Sequence, residues 1–251
     1  MLCVILGALL LAAWFLPRQR AQETLKRWQF KAPSIPVGTG KTFLVSAMAV
    51  ATAYTHGAVI PSLGAQVAHD LVRSTNVLTN GAALALFAIV AGVVGILARP
   101  LSSRVSMSLG AVASTVAMIL LVVSVTEHGL LLFLVATATA GVGYSLLFLG
   151  GLQALNAAAP SEHRGATLSM LYLVAYLAMG TVASLLGVVA TAWGLKVAID
   201  LGAGAITLLC GVTVVLVVSM RAPCASVITP VQCRLAGPRP AEHAHAVGIK
   251  E

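Results

Sequence analysis

Charged side chains cut this sequence into apolar runs of membrane-crossing length. Met1–Pro17, Thr42–Ala68, Ser74–Ala98, Val105–Thr126, Gly129–Ser161 and Gly165–Leu195 contain no Asp, Glu, Lys or Arg. Leu201–Met220 is the charge-free core of a further run that begins near Lys196. A helix crosses a ~30 Å hydrocarbon layer in about 20 residues, so the pattern predicts an all-α, polytopic membrane bundle of about seven spans. Met1–Pro17 is barely long enough and has its basic residues, Arg18 and Arg20, behind it, the reverse of a secretory signal. It has the character of the tail half of a membrane helix. The polar connections between later spans are short, which makes consecutive helices antiparallel neighbours.

The chain therefore divides into a partial span (1–17), a basic loop (18–41), a six-helix bundle (42–220) and a tail (221–251). The loop pairs a surface-helix candidate, Arg20–Trp28, with a Pro/Gly-rich linker. Its closing Gly38-Thr39-Gly40-Lys41-Thr42 is not a phosphate-binding loop, because Ile35 stands where the first glycine is required. The tail, rich in Pro, Ala and His, has no apolar period and is expected to be disordered.

Composition agrees with the pattern. Hydrophobic residues make up 59% and charged residues 9%, and the mean hydropathy is +0.99, far from a soluble domain with about 25% charged residues. The net charge of +8 does not indicate nucleic acid, since the basic residues punctuate apolar runs instead of clustering on a soluble face. Alternating the loops puts Arg18, Arg20, Lys26, Arg27, Lys31, Lys41, Arg99, Arg104, Arg164, Arg221, Arg234, Arg239 and Lys250 on one side and only Arg73 and Lys196 on the other. The basic side is cytoplasmic, which places the amino terminus outside and the carboxy terminus inside. Cys3, Cys210, Cys224 and Cys233 have neither disulfide nor metal spacing. Glu242, His243 and His245 lack a fourth ligand, and no metal or cofactor is expected.

Ionisable or polar groups within the hydrocarbon are the functional candidates. His56 lies mid-span beside Tyr54 and Thr55 and ahead of Pro61. Charging it there costs ~3 kcal/mol, so it is expected to rest as a neutral, hydrogen-bonding imidazole, either lining a cavity or bonded to a neighbouring helix. Asn80, Tyr144, Tyr172, Tyr176, Gln153 and Asn156 can contact a substrate or join helices at about 0.6 kcal/mol each. Gln153 and Asn156, near a helix end, favour the joining role. Tyr172 and Tyr176 share one helix face, and Gly180, Ala183, Ser184 and Gly187 form a small-residue stripe open to close helix approach. Lys196 and Asp200, one turn apart, read as a structural pair. No catalytic constellation is present.

Pro160, Glu162, Arg164, Gly165, Ser169, Gly180, Gly187, Trp193 and Gly194 form a hinge followed by a Gly-striped helix ending in Trp-Gly. This resembles the junction of the tenth and eleventh helices of major facilitator superfamily transporters. Counted outward, the resemblance makes Met1–Pro17 the end of the sixth helix, Arg18–Lys41 the central loop, and the remainder the carboxy-terminal six-helix half of that fold. Gly95–Arg104 then falls on the family's G-x-L-x-D-R-x-G-R-R loop: Gly95, Leu97 and Arg104 match, Arg99 stands where Asp is usual, and Ser102 where Gly is usual. The implied gating set is Gly95, Arg99, Arg104, Glu162 and Arg164. The implied substrate cavity takes Tyr54, His56, Asn80, Tyr172 and Tyr176.

The resulting expectation is a secondary transporter of a small molecule in the cell (inner) membrane, of efflux type, with an uncharged or amphiphilic substrate and proton coupling open. The resemblance further implies a truncated or mis-started copy of a twelve-helix transporter, which is not expected to transport alone as a monomer and would work with a missing amino-terminal half or with a second copy. The competing classes are a seven-span receptor and a membrane-embedded assembly subunit. Retinal chemistry needs a mid-span Lys, whereas Lys196 is at a helix mouth. A G-protein-type receptor usually carries an acid before the Arg ending its third helix, and here Ala98 precedes Arg99.

Overall fold

In lipid every backbone N–H and C=O must be satisfied within its own segment, which leaves helices as the solution for isolated apolar runs. The computed structural model describes residues 39–66, 77–160 and 163–219. These form α1 (Gly40–Gln66), α2 (Val77–Leu97), α3 (Ser103–Thr126), α4 (Leu130–Ala158), α5 (Arg164–Trp193) and α6 (Leu195–Ser219), with no strand among the described residues. One helix falls in each of the six later runs. Five are long and apolar enough to cross a membrane, and α2 contributes the shorter apolar stretch Gly81–Leu97. The chain is an integral membrane protein of all-α architecture. The first span, most of the basic loop, the tail and Glu162 lie outside the described residues.

Two of the described connections are tight because local chemistry stops the helix before them. Beyond α3, His128 adopts φ 51° and the Gly129 N–H donates to the Ser124 carbonyl at 3.1 Å, a Schellman-type closure with His in the left-handed position. Between α5 and α6 the single residue Gly194 reverses the chain at φ 93°, ψ 160°, a region that only glycine enters without strain.

α1 and α4 form the centre. Of the most apolar window of α1, 72% is buried, whereas for α5 the figure is 11%. α1 packs on α4, α5 and α6, while α4 packs on α1, α2 and α3, and α3 also meets α6. Helices in lipid associate through close packing more than through hydrophobicity, and the glycines of α4 provide it. A Cβ on Gly143 would lie 2.7 Å from the Ser114 backbone N, one on Gly150 2.9 Å from the Met107 N, and one on Gly141 2.8 Å from the Phe87 carbonyl. Gly110 of α3 meets the Leu147 N at 2.6 Å in the same sense. Met107, Met118, Phe133, Leu147, Ile199 and Ile206 fill the remaining interior.

Gly180 and Gly187, the stripe singled out by the sequence, have nothing within 4 Å of an added Cβ. They face outward on α5, and the close approaches within the described bundle are made by the other glycines.

Candidate functional site

Tyr54 is the hub of a ring cluster near mid-length of the helices. Its centroid is 5.0 Å from Tyr176 at 82°, 6.3 Å from Tyr172 at 63° and 6.0 Å from Phe148 at 50°. Phe148 stacks on Tyr144 at 6.1 Å and 5°, and Tyr144 meets Phe87 at 5.6 Å. These separations and tilts lie in the range of favourable aromatic pairs. The sequence contains four tyrosines, and all of them, on α1, α4 and α5, meet here. Gly57 makes the room: a Cβ there would sit 2.8 Å from the Tyr144 ring. Tyr54, Tyr144 and Tyr172 are half-buried, and Tyr176 is 54% exposed.

His56 is elsewhere. Two residues along a helix is a rotation of about 200°, so Tyr54 and His56 point to opposite sides of α1. The imidazole is fully buried, with Nδ1 3.0 Å from the Ser114 Oγ on α3 and Nε2 without a partner. Thr52 and Thr213 approach on the α6 side with their hydroxyls 3.4 Å apart. The structure thus brings Tyr54, Tyr172 and Tyr176 together and sets His56 inside the packed core. Asn80 lies in the first turn of α2, and its side chain is outside the described residues.

The gating set is dispersed over helix ends. Arg99 is exposed in the turn after α2, and its carbonyl accepts a hydrogen bond from Gln153 Nε2 at 3.2 Å. Arg164 Nη2 donates to the Asn156 carbonyl at 3.3 Å, placing a cation at the carbonyl end of α4, where it is favoured. Gly95 faces α4, where an added Cβ would be 3.1 Å from Ser145 Oγ. Arg104 is half-buried at the start of α3, beside Val217 and Val218 of α6. Lys196 and Asp200 are both exposed.

Phe87 and Phe148 belong to the ring cluster without being among the site residues expected from the sequence. Phe148 follows Tyr144 by four positions, the spacing that also joins Tyr172 to Tyr176, and that spacing is the signal that could have found it. Phe87 carried none. An apolar groove of about 380 Å³ between α3 and α6, lined by Ala111, Thr115, Cys210 and Gly211 among others, touches none of the rings. Among the described residues no group of three His, Cys, Asp or Glu could hold a metal ion. Comparison of the chain with family models, with curated proteins and with solved structures returns no match.

Proposed function

We propose that this chain is a secondary transporter of a small organic molecule in the cell membrane, of the major facilitator type, with its substrate site on the rings around Tyr54. The observation that carries the reading is the convergence of all four tyrosines from three helices at mid-length. Aromatic side chains scattered over lipid-facing positions would serve as interfacial anchors near helix ends, and these do not.

The helix contacts support it. Exchanging the triplet α1–α3 for α4–α6 maps the α1–α5 contact onto α4–α2 and α1–α6 onto α4–α3, with α1–α4 and α3–α6 each mapping onto itself. The correspondence is partial: the α3–α4 contact is far more extensive than the α1–α6 contact, and neither α5–α6 nor α1–α2 has a comparable counterpart. Alternating crossings make α1 and α4 antiparallel, so the exchange has the inverted sense found in transporters built from internal repeats, whose sites lie at the midplane between the repeats. Tyr176 opens the ring cluster on the α5 side, and a second six-helix body, either another copy or a separate amino-terminal half, covers it in the working protein.

Full-length protein reconstituted in liposomes is expected to exchange labelled compounds from a panel of small aromatic and amphiphilic solutes, and Tyr54→Leu is expected to lower that exchange about tenfold. Exchange that is absent across the panel, or untouched by Tyr54→Leu, defeats the reading. The orientation has its own check. A reporter active only in the cytoplasm should give signal when fused after Glu251 and none when inserted at Glu127, as the distribution of Lys and Arg requires. The opposite pattern inverts the topology.

A further inference from the structure

We infer that the groove between α3 and α6 holds an anionic phospholipid of the cytoplasmic leaflet, with its phosphate at Arg104 and one acyl chain along the helices. The groove has two sections on successive turns of the same helix pair. The first, about 360 Å³, lies between Arg104, Ser108 and Leu109 of α3 and Val217 and Val218 of α6. The second, about 380 Å³, continues between Val112, Thr115 and Val116 of α3 and Thr207, Gly211 and Val214 of α6. From Arg104 to Val116 the helical rise is about 18 Å, close to the ~15 Å that one leaflet contributes to the hydrocarbon layer. Glycine keeps the groove open, since an added Cβ on Gly211 would meet nothing within 4 Å.

The length of the groove and its mouth call for different chemistry. Along its length the polar side chains are already engaged: the Thr115 hydroxyl donates to the Ala111 carbonyl at 3.0 Å, and the Cys210 thiol is buried against Thr115 and Ser114. A hydrocarbon chain suits such a wall, whereas a polar ligand would leave its own groups unsatisfied there. At the mouth stand the Arg104 guanidinium and the Ser108 hydroxyl. They belong to the opening turns of α3, where the helix dipole also favours negative charge, and the Ser102 side chain makes no capping bond to that end. The described carboxylates, Glu127 and Asp200, lie at the opposite ends of α3 and α6, so the described charge at this mouth is positive. The distribution of Lys and Arg puts Arg104 on the cytoplasmic side, and basic pockets between spans on that side receive anionic headgroups.

The test compares dioleoyl phosphatidylglycerol with dioleoyl phosphatidylcholine, which has the same chains and a phosphate but no net charge. Each is added at the same mole fraction to full-length protein stripped of lipid in a nonionic detergent, at a salt concentration that screens exposed charge, and the thermal midpoint is followed. A ligand held only by the folded protein raises that midpoint. Phosphatidylglycerol is expected to raise it by about 3–6 °C and phosphatidylcholine by less than about 1 °C. Gly211→Leu fills the groove where the space is open, and Arg104→Gln removes the cation at the mouth. Each is expected to cut the rise, measured from the variant's own midpoint, to under about 1 °C. If Arg104→Gln does not fold, Gly211→Leu decides alone. Arg99→Gln, in the exposed turn on the α4 side, is expected to keep the rise, and soluble glycerol phosphate, which has the anion without a chain, is expected to produce none. Equal rises for the two lipids, a rise retained in Gly211→Leu, a rise lost in Arg99→Gln, or a rise from glycerol phosphate each overturns the inference. None of these readouts requires solute exchange, so the lipid site and the transport reading stand or fall separately.

Discussion

Gly143→Val is expected to lower the thermal midpoint of the detergent-solubilised protein by about 6–12 °C, whereas Gly180→Val leaves it within about 2 °C. At Gly143 even a Cβ would sit 2.7 Å from the Ser114 backbone N and 2.9 Å from its Cα. The obstruction is main chain, which cannot rotate aside, so α3 and α4 must separate along their length. That separation also loosens the neighbouring approaches at Gly110 and Gly150, and the Ser106 hydroxyl loses its 2.9 Å donation to the Leu146 carbonyl. Overpacking of a close interface costs typically up to about 3 kcal/mol, which for a chain of this size gives the shift above. Gly180 has nothing within 4 Å. Size-exclusion chromatography after a temperature series measures both variants. Equal midpoints for the two would show that the α3–α4 approach does not hold the bundle together.

His56→Ala is expected to cost about 3 kcal/mol, while His56→Leu costs less than about 1 kcal/mol. The imidazole is among the largest fully buried side chains, so truncation leaves a cavity, and a core cavity of this kind carries a penalty of about 2–5 kcal/mol. Its one polar partner is worth little by comparison: interhelical hydrogen bonds in membranes average about 0.6 kcal/mol. Leucine restores volume and also removes the unpartnered Nε2, whose burial is itself unfavourable. Ser114 is not stranded by the change, because a helical serine can donate to the carbonyl four residues back. Thermal midpoints of the two variants read the difference, and equal losses would show that the imidazole's polarity, not its volume, is what the core needs. Solute exchange by His56→Leu should persist, since His56 and Tyr54 project to opposite sides of α1. Loss of exchange in a stable His56→Leu would place Nε2 on the transport path.

The sequence by itself determined where the helices are. A charge in hydrocarbon costs several kcal/mol wherever its neighbours lie, so the runs between charges mark the helices, with α5 and α6 beginning at Arg164 and Leu195, close to the positions expected from sequence. It also determined that Tyr172 and Tyr176 share a face, because the helical period is local, and both rings do meet Tyr54. Rotation of each helix about its axis was decided only by the tertiary structure. In a soluble helix a polar face shows which side is turned outward, but helices apolar all round carry no such mark. Hence Gly180 and Gly187 were as credible a contact stripe as Gly143 and Gly150, and only the placement of α4 beside α3 separated them. For the same reason the sequence does not separate His56 from Tyr54, nearly adjacent along it; the packing of α1 against α4, α5 and α6 is what sends the imidazole to Ser114 and the phenol to Tyr176. Phe87 and Phe148 joined that site through contacts between helices, and a hydropathy pattern, which sums the preference of each residue for lipid over water, contains no information about pairs.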